Sequence, residues 1–229
     1  MLIAMRAISL IRSMRSWAFL GGLLLLSGCL TIEENYTFKK DGSGTMEYVL
    51  DISEMADLMK GLPGGNKGKD DGAGAMDLHD NLAKLKSLPG ISKVKLKKEK
   101  DGFVQRLSFK FKDIASLNGA LNQLMPDSTN AAQEFFRWEG STLVRTNNRH
   151  AQELGGDMGG ETGDSTDVTA MLEMMHYKYS FKFAKDIGAV QAVDGMTREP
   201  KGAKEIKLST DWSVISKDPT ALDLRIELK

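Results

Sequence analysis

From the thirtieth residue onward, apolar and polar residues alternate with a period of two. Thr31–Lys40 places Ile32, Tyr36 and Phe38 on one parity, and Thr45–Ser53 places Met46, Tyr48, Leu50 and Ile52 on one face, with Asp41-Gly42-Ser43-Gly44 between them. Alternation on both sides of an Asp-Gly turn predicts a β-hairpin. Ile91–Lys100 and Phe103–Lys112 predict a second hairpin around Asp101-Gly102, and Glu134–Trp138 with Thr142–Asn147 a third around Glu139-Gly140-Ser141. Further along, Tyr177, Tyr179, Phe181 and Phe183 alternate with Lys178, Ser180 and Lys182, the signature of a half-buried strand. Ala189–Val193 reads as a short strand. Ile206, Leu208, Thr210, Trp212 and Val214 share one parity, as do Leu222, Leu224, Ile226 and Leu228.

Between the hairpins the period changes to that of a helix. Ser53 with Glu54 to Leu62 reads as a short helix stopped by Pro63. Leu78, Leu82 and Leu85 mark an amphipathic helix over Asp77–Leu88, ended by Pro89-Gly90. Ile114, Leu117, Leu121 and Leu124 mark another, with Asp113 as its N-cap and Pro126 after it. A short helix is expected near Val168–Met175. The glycine-rich stretches at 61–75 and 150–167 read as flexible loops. The order ββα, ββα, then further strands predicts an α+β fold, an antiparallel sheet built from hairpins with amphipathic helices packed on one face.

The first thirty residues follow a different rule. Arg6, Arg12 and Arg15 stand without any acidic residue, Trp17–Leu26 is apolar, and small Ser27 and Gly28 precede Cys29. This is the three-part pattern of a secretory signal, and its apolar stretch of about ten residues is too short to span a bilayer. Leu26-Ser27-Gly28-Cys29 resembles the lipobox of bacterial lipoproteins, and Cys29 is the chain's only cysteine. That resemblance implies a cleaved signal at 1–28, lipidation of Cys29 (a palmitate-type acyl anchor) and a single envelope domain over 29–229. Leu30 rather than Asp follows the cysteine, which points to the outer membrane, facing the periplasm. Glu33 and Glu34 partly match an acidic surface-export cluster, so cell-surface exposure stands as the alternative.

The mature pattern also resembles a family. The lipobox, the immediate hairpin with its Asp-Gly-Ser-Gly turn and the helix and strands that follow are similar to bacterial lipoproteins of the LppM-like type. The passage from Leu88-Pro89-Gly90-Ile91-Ser92 to Phe109-Lys110-Phe111-Lys112-Asp113-Ile114 is similar to Bacteroidetes lipoproteins without assigned roles. The likeness covers residues 26–125. Its motifs are structural, so it implies an envelope location and carries no catalytic residue over.

Composition narrows the function classes. The 229 residues hold 31 basic and 31 acidic side chains, and removing the three signal arginines leaves a mature net charge of −3. Such a balance argues against nucleic-acid partners. With 41% apolar and 27% charged residues the chain has the composition of a folded protein, and one cysteine excludes a disulfide framework. Gly42-Ser43-Gly44 lacks the spacing of a nucleophile elbow. Gly64-Gly65-Asn66-Lys67-Gly68-Lys69 fails as a phosphate loop, since Asp70 stands where Ser or Thr is needed. His79, His150 and His176 have no ligand spacing. Asp157, Glu161, Asp164 and Asp167 could offer oxygens to calcium, but an acidic loop is commonly just solvated. Met171, Met174 and Met175 beside His176 fit core packing better than copper.

No catalytic residue, metal or cofactor is therefore assigned. The expected role is a membrane-anchored, non-enzymatic binding or structural module with an envelope protein or lipid as partner. The alternative is a carrier of a hydrophobic or lipid ligand held between sheet and helices, and an envelope enzyme of unrecognised type comes third.

Overall fold

The computed structural model describes residues 30–54, 78–126, 128–129, 131–146, 149–153 and 165–229. The first hairpin joins β1 (Leu30–Phe38) to β2 (Gly44–Asp51). Its turn is held by the Asp41 carboxylate, which accepts from the Ser43 amide at 3.0 Å and from the Ser43 hydroxyl at 2.8 Å, and by Gly42 at a φ of +80°. Gly44 is needed for space: a Cβ there would lie 2.0 Å from the Thr37 carbonyl oxygen and 2.4 Å from Phe111 Cζ.

Helix α1 (His79–Ser87) leads into the second hairpin, β3 (Ile91–Glu99) and β4 (Val104–Phe111). Helix α2 (Ile114–Leu124) follows, capped as expected: Asp113 accepts from the Ser116 amide at 2.8 Å. The third hairpin is β5 (Phe136–Glu139) and β6 (Thr142–Arg145). Then come α3 (Ser165–Glu173), β7 (Met175–Phe183), β8 (Ile187–Ala192), β9 (Thr197–Pro200), β10 (Glu205–Asp211), α4 (Trp212–Ile215) and β11 (Leu224–Leu228).

The α+β class and the hairpin plan hold, with a correction to the sheet. There are two sheets among the described residues, of seven strands in the order β3-β4-β2-β1-β7-β10-β9 and of four in the order β5-β6-β11-β8. Every pair is antiparallel except β1 with β7, which run parallel with Leu30 opposite Met175 and Phe38 opposite Phe183. A parallel pair needs a long crossover, and here everything from the first turn to α3 lies between the two strands. Hairpin alternation reports only sequence neighbours, so it could not reveal that pairing.

The smaller sheet packs on the inner face of the larger one. Rings interlock across the gap: Tyr36 meets Phe136 edge-on at 5.0 Å, and Phe38 meets Trp138 at 5.9 Å. Within the large sheet Tyr36 stacks on Phe181 at 5.2 Å and Phe38 on Phe183 at 5.5 Å. Burying one such side chain contributes roughly 1.5–3 kcal/mol. Helices cover the rest of that face, with Leu85 of α1, Leu117 and Leu121 of α2, and Trp212 and Ile215 of α4 fully buried. The aromatic row Tyr177 to Phe183 is thus core, as its alternation implied.

Other boundaries shift. Trp212 and Val214 do not continue β10, because Asp211 turns the chain into α4 by accepting from the Val214 amide at 3.2 Å. Residues 149–153 are helical and α3 begins at Ser165, so both ends of the stretch expected to be a loop at 150–167 are helical; 154–164 and the whole of 61–75 lie outside the described residues. Met175 opens β7 instead of closing a helix, and β9, exposed along its length, had no apolar signal to announce it.

Candidate functional site

The centre of the sandwich holds a charge pair that period-two reading passes over. Glu34 shares the apolar parity of β1 with Ile32 and Tyr36, and its side chain is fully buried. Arg145 ends β6 on the parity of Leu143 and is equally buried. They meet across the two sheets, Arg145 Nη2 lying 3.2 and 3.3 Å from the two Glu34 carboxylate oxygens. The Tyr36 hydroxyl donates to one of those oxygens at 2.5 Å and the Tyr177 hydroxyl to the other. Arg145 also lies 4.6 Å above the Tyr179 ring and donates to the Leu222 carbonyl at 3.5 Å.

His150 extends this network. Its Nε2 is 3.0 Å from the Tyr177 hydroxyl, whose only hydrogen already serves Glu34, so Nε2 carries the proton and donates. Burial first, and then the Arg145 charge, push His150 down to about 3, so it stays neutral. Burial, ahead of the Glu34 charge, raises Tyr36 and Tyr177 well above the ordinary phenol range, and burial raises Tyr179 likewise. For Arg145, burial acts to lower the guanidinium, and the Glu34 carboxylate with the tyrosines more than offsets it. Among the described residues, Arg145 Nε, His150 Nδ1 and the Tyr179 hydroxyl have no hydrogen-bond partner. With every charged member sealed from solvent, this cluster acts as a pin between the sheets.

Among the described residues, two of the concavities at the surface lie away from it. At the end of the sandwich where β1 turns into β2, a cavity of about 270 Å³ is lined by Phe38, Trp138, Phe183 and Leu228, with Lys39, Lys40 and Lys185 also on its wall. On the outer face of the seven-stranded sheet a depression of about 370 Å³ is lined by Asn35, Thr37, Thr45 and Ser108 with Lys93, Lys95 and Lys110.

The residues singled out in the sequence fall as follows. Cys29 and the lipobox residues Leu26, Ser27 and Gly28 lie outside the described residues, as do Gly64–Lys69, Asp157, Glu161 and Asp164. Gly42-Ser43-Gly44 is the tip of the first hairpin and the start of β2. His79 is exposed on α1, whereas His150, expected in a loop, is half-buried against Phe135 and Tyr177. Glu34 is also a correction: bound to Arg145 in the core, it is not part of an exposed acidic cluster beside Glu33. A signal for both existed, since a charge on the apolar parity of a strand requires an opposite charge facing it.

No family model matches the chain, and no curated protein matches it. Among solved structures, the NMR structure of the folded domain of LppM from Mycobacterium tuberculosis is similar, with a TM-score of 0.45 and 11% sequence identity over 91% of this chain and 94% of that one. At this level of similarity a functional reading rests on the chain's own residues.

Proposed function

We propose that this chain is a lipid-anchored, non-enzymatic binding or structural module of the bacterial cell envelope, tethered through Cys29. The observation that carries the reading is the signal Leu26-Ser27-Gly28-Cys29 with the chain's sole cysteine at its end. The fold is compatible with it: Leu30, the very next residue, already opens β1 and is 1% exposed. Two or more acyl chains hold a protein stably on a membrane, and a mature charge of −3 gives no polybasic second anchor. Among the described residues no helix is long and apolar enough to cross a membrane, so in this reading the lipid does the holding. Leu30 at the position after the cysteine favours the outer membrane, with the domain in the periplasm.

Metabolic labelling with a fatty acid tests the anchor. The wild-type chain takes up label and Cys29→Ala does not; equal labelling of both removes the lipoprotein reading. A carrier of a hydrophobic ligand is the second reading, and its place moves. Side chains of α1, α2 and α4 fill the space against the sheet, so the ligand would sit in the 270 Å³ cavity at the sandwich end, its apolar part on Trp138 and Phe183 and an anionic part near Lys39, Lys40 and Lys185.

A further inference from the structure

The outer face of the seven-stranded sheet carries a cluster of like charge that its fold does not require. Lysines on an exposed edge strand have an ordinary purpose, the prevention of edge-to-edge pairing. That purpose accounts for Lys95, Lys97 and Lys98 on β3, an edge strand of the large sheet. It does not account for Lys110, which lies on β4, an interior strand. The same edge strand, β3, carries a bulge, a second device against pairing. The β3–β4 register shifts between Ser92 and Lys95, and within the shift Lys93 adopts a φ of +54°, a left-handed conformation that costs a lysine free energy.

Lys93 and Lys110 line one depression, and the Lys93 charge, then burial, then the charge of Lys39, push the Lys110 ammonium down. Among the described residues Lys39, Lys93, Lys95 and Lys110 form no ion pair. The carboxylate on the same wall, Glu47, is engaged by Arg106 at 3.7 Å and by the Asn35 amide at 3.5 Å. Like charges gathered without a counter-charge repel, and an anion placed among them converts repulsion into attraction. The same depression is lined by the hydroxyl-bearing Thr37, Thr45 and Ser108 and by Asn35, which supply neutral hydrogen-bond donors.

We propose that this depression is an oxyanion site that takes a phosphate group, with Lys93 and Lys110 as the central cations and Lys39 and Lys95 beside them. A phosphate monoester carries a charge of about −1.5 to −2 near neutral pH and three acceptor oxygens, which matches several ammonium groups where a single carboxylate would satisfy one. Thr37 stands seven residues beyond Leu30 on β1, about 23 Å at the usual rise of a strand. If Cys29 is the anchor, as proposed above, the site stands away from the point of attachment and takes a soluble or polymeric phosphate in place of the adjoining headgroups. The binding chemistry itself does not depend on that anchor.

The test titrates the full-length chain, in a neutral detergent at fixed ionic strength, with inorganic phosphate and with pyrophosphate by calorimetry. Saturable binding is expected. Lys93→Gln and Lys110→Gln each weaken it at least tenfold, while Lys207→Gln, exposed on β10, leaves it unchanged. Pyrophosphate raises the thermal midpoint of the wild type and does not raise that of Lys93→Gln. Cys29→Ala binds phosphate as the wild type does, so loss of lipid labelling and loss of phosphate binding are separate outcomes. Absence of saturable binding, or an equal loss in Lys207→Gln, overturns the site. Binding to phosphatidylglycerol vesicles without any response to phosphate or pyrophosphate overturns it as well, and makes the face a membrane contact.

Discussion

Removing the guanidinium from the centre of the sandwich should cost a large part of the stability of the domain. Arg145→Met keeps an unbranched chain of similar length and deletes the charge. Glu34, fully buried, then loses its counter-ion 3.2 Å away and keeps only the two tyrosine hydroxyls. Breaking one side of a buried ion pair typically costs about 3–5 kcal/mol, against a total stability on the order of 5–15 kcal/mol. The stacking of Arg145 on Tyr179 and its bond to the Leu222 carbonyl are lost too, so the upper part of that range is expected. Glu34→Met should be similarly harmful, because it strands the arginine. The double variant removes both charges at once and leaves the Tyr36 hydroxyl and the Leu222 carbonyl without these partners, each at about 1–3 kcal/mol, while the Tyr177 hydroxyl still accepts from His150. It should therefore be clearly more stable than the sum of the singles predicts, with a coupling of at least about 2 kcal/mol. Urea unfolding of the four chains, followed by far-UV circular dichroism in the same detergent, gives the cycle. An Arg145→Met chain within about 1 kcal/mol of wild type, or additive single effects, would refute the pin.

Two further outcomes follow from the same core. His150 has a folded-state pKa of about 3 against an ordinary 6.5, so the stability tied to its neutral form is present above pH 6.5 and is lost as the pH falls toward 3, with a limiting slope of about 1.4 kcal/mol per pH unit. His150→Gln, which still donates to Tyr177, should flatten that part of a stability–pH curve, and an unchanged slope would place the titration elsewhere. Phe181 is fully buried and Lys182 exposed beside it, so Phe181→Ala should cost about 3–5 kcal/mol in chemical denaturation and Lys182→Ala no more than about 0.5. Equal effects of the two would mean the row is not core.

Local structure was legible wherever one strand or helix signals its own exposure. The hairpins around Asp41-Gly42 and Gly140, the Asp113 cap and the Tyr177–Phe183 face follow from turn chemistry and period. What escaped depends on partners distant in sequence. The β1–β7 pairing joins residues about 145 apart, and the Glu34–Arg145 contact joins residues 111 apart. The helix at 149–153 has little apolar pattern of its own. It is held by tertiary contacts, with Ala151 buried and its carbonyl accepting from Trp212 Nε1 at 2.8 Å. The lysine depression was equally hidden, since Lys93 and Lys95 come from β3 and Lys110 from β4, and each alone reads as a solvated surface charge.

An ion pair is a poor way to add stability to a core, because an apolar pair of the same volume often does as well. Its value lies in what it forbids. The inner face of β1 offers Leu30, Ile32, Glu34, Tyr36 and Phe38 in succession, and β6 presents one cation to that row. Sliding the small sheet by one two-residue step along β1 would set Arg145 against Ile32 or Tyr36 and leave both charges buried and unpaired. Apolar side chains alone would tolerate that slip far better, since Phe136 and Trp138 could find other rings on the same face. The pin thus fixes one stacking of the two sheets. It does so on β1, an interior strand paired on both sides and, in the lipid-anchor reading, the strand joined to the membrane at Cys29 without a spacer. Any pull from the anchor then falls on a strand held by two ladders of backbone hydrogen bonds and by the Glu34–Arg145 contact four residues beyond Leu30.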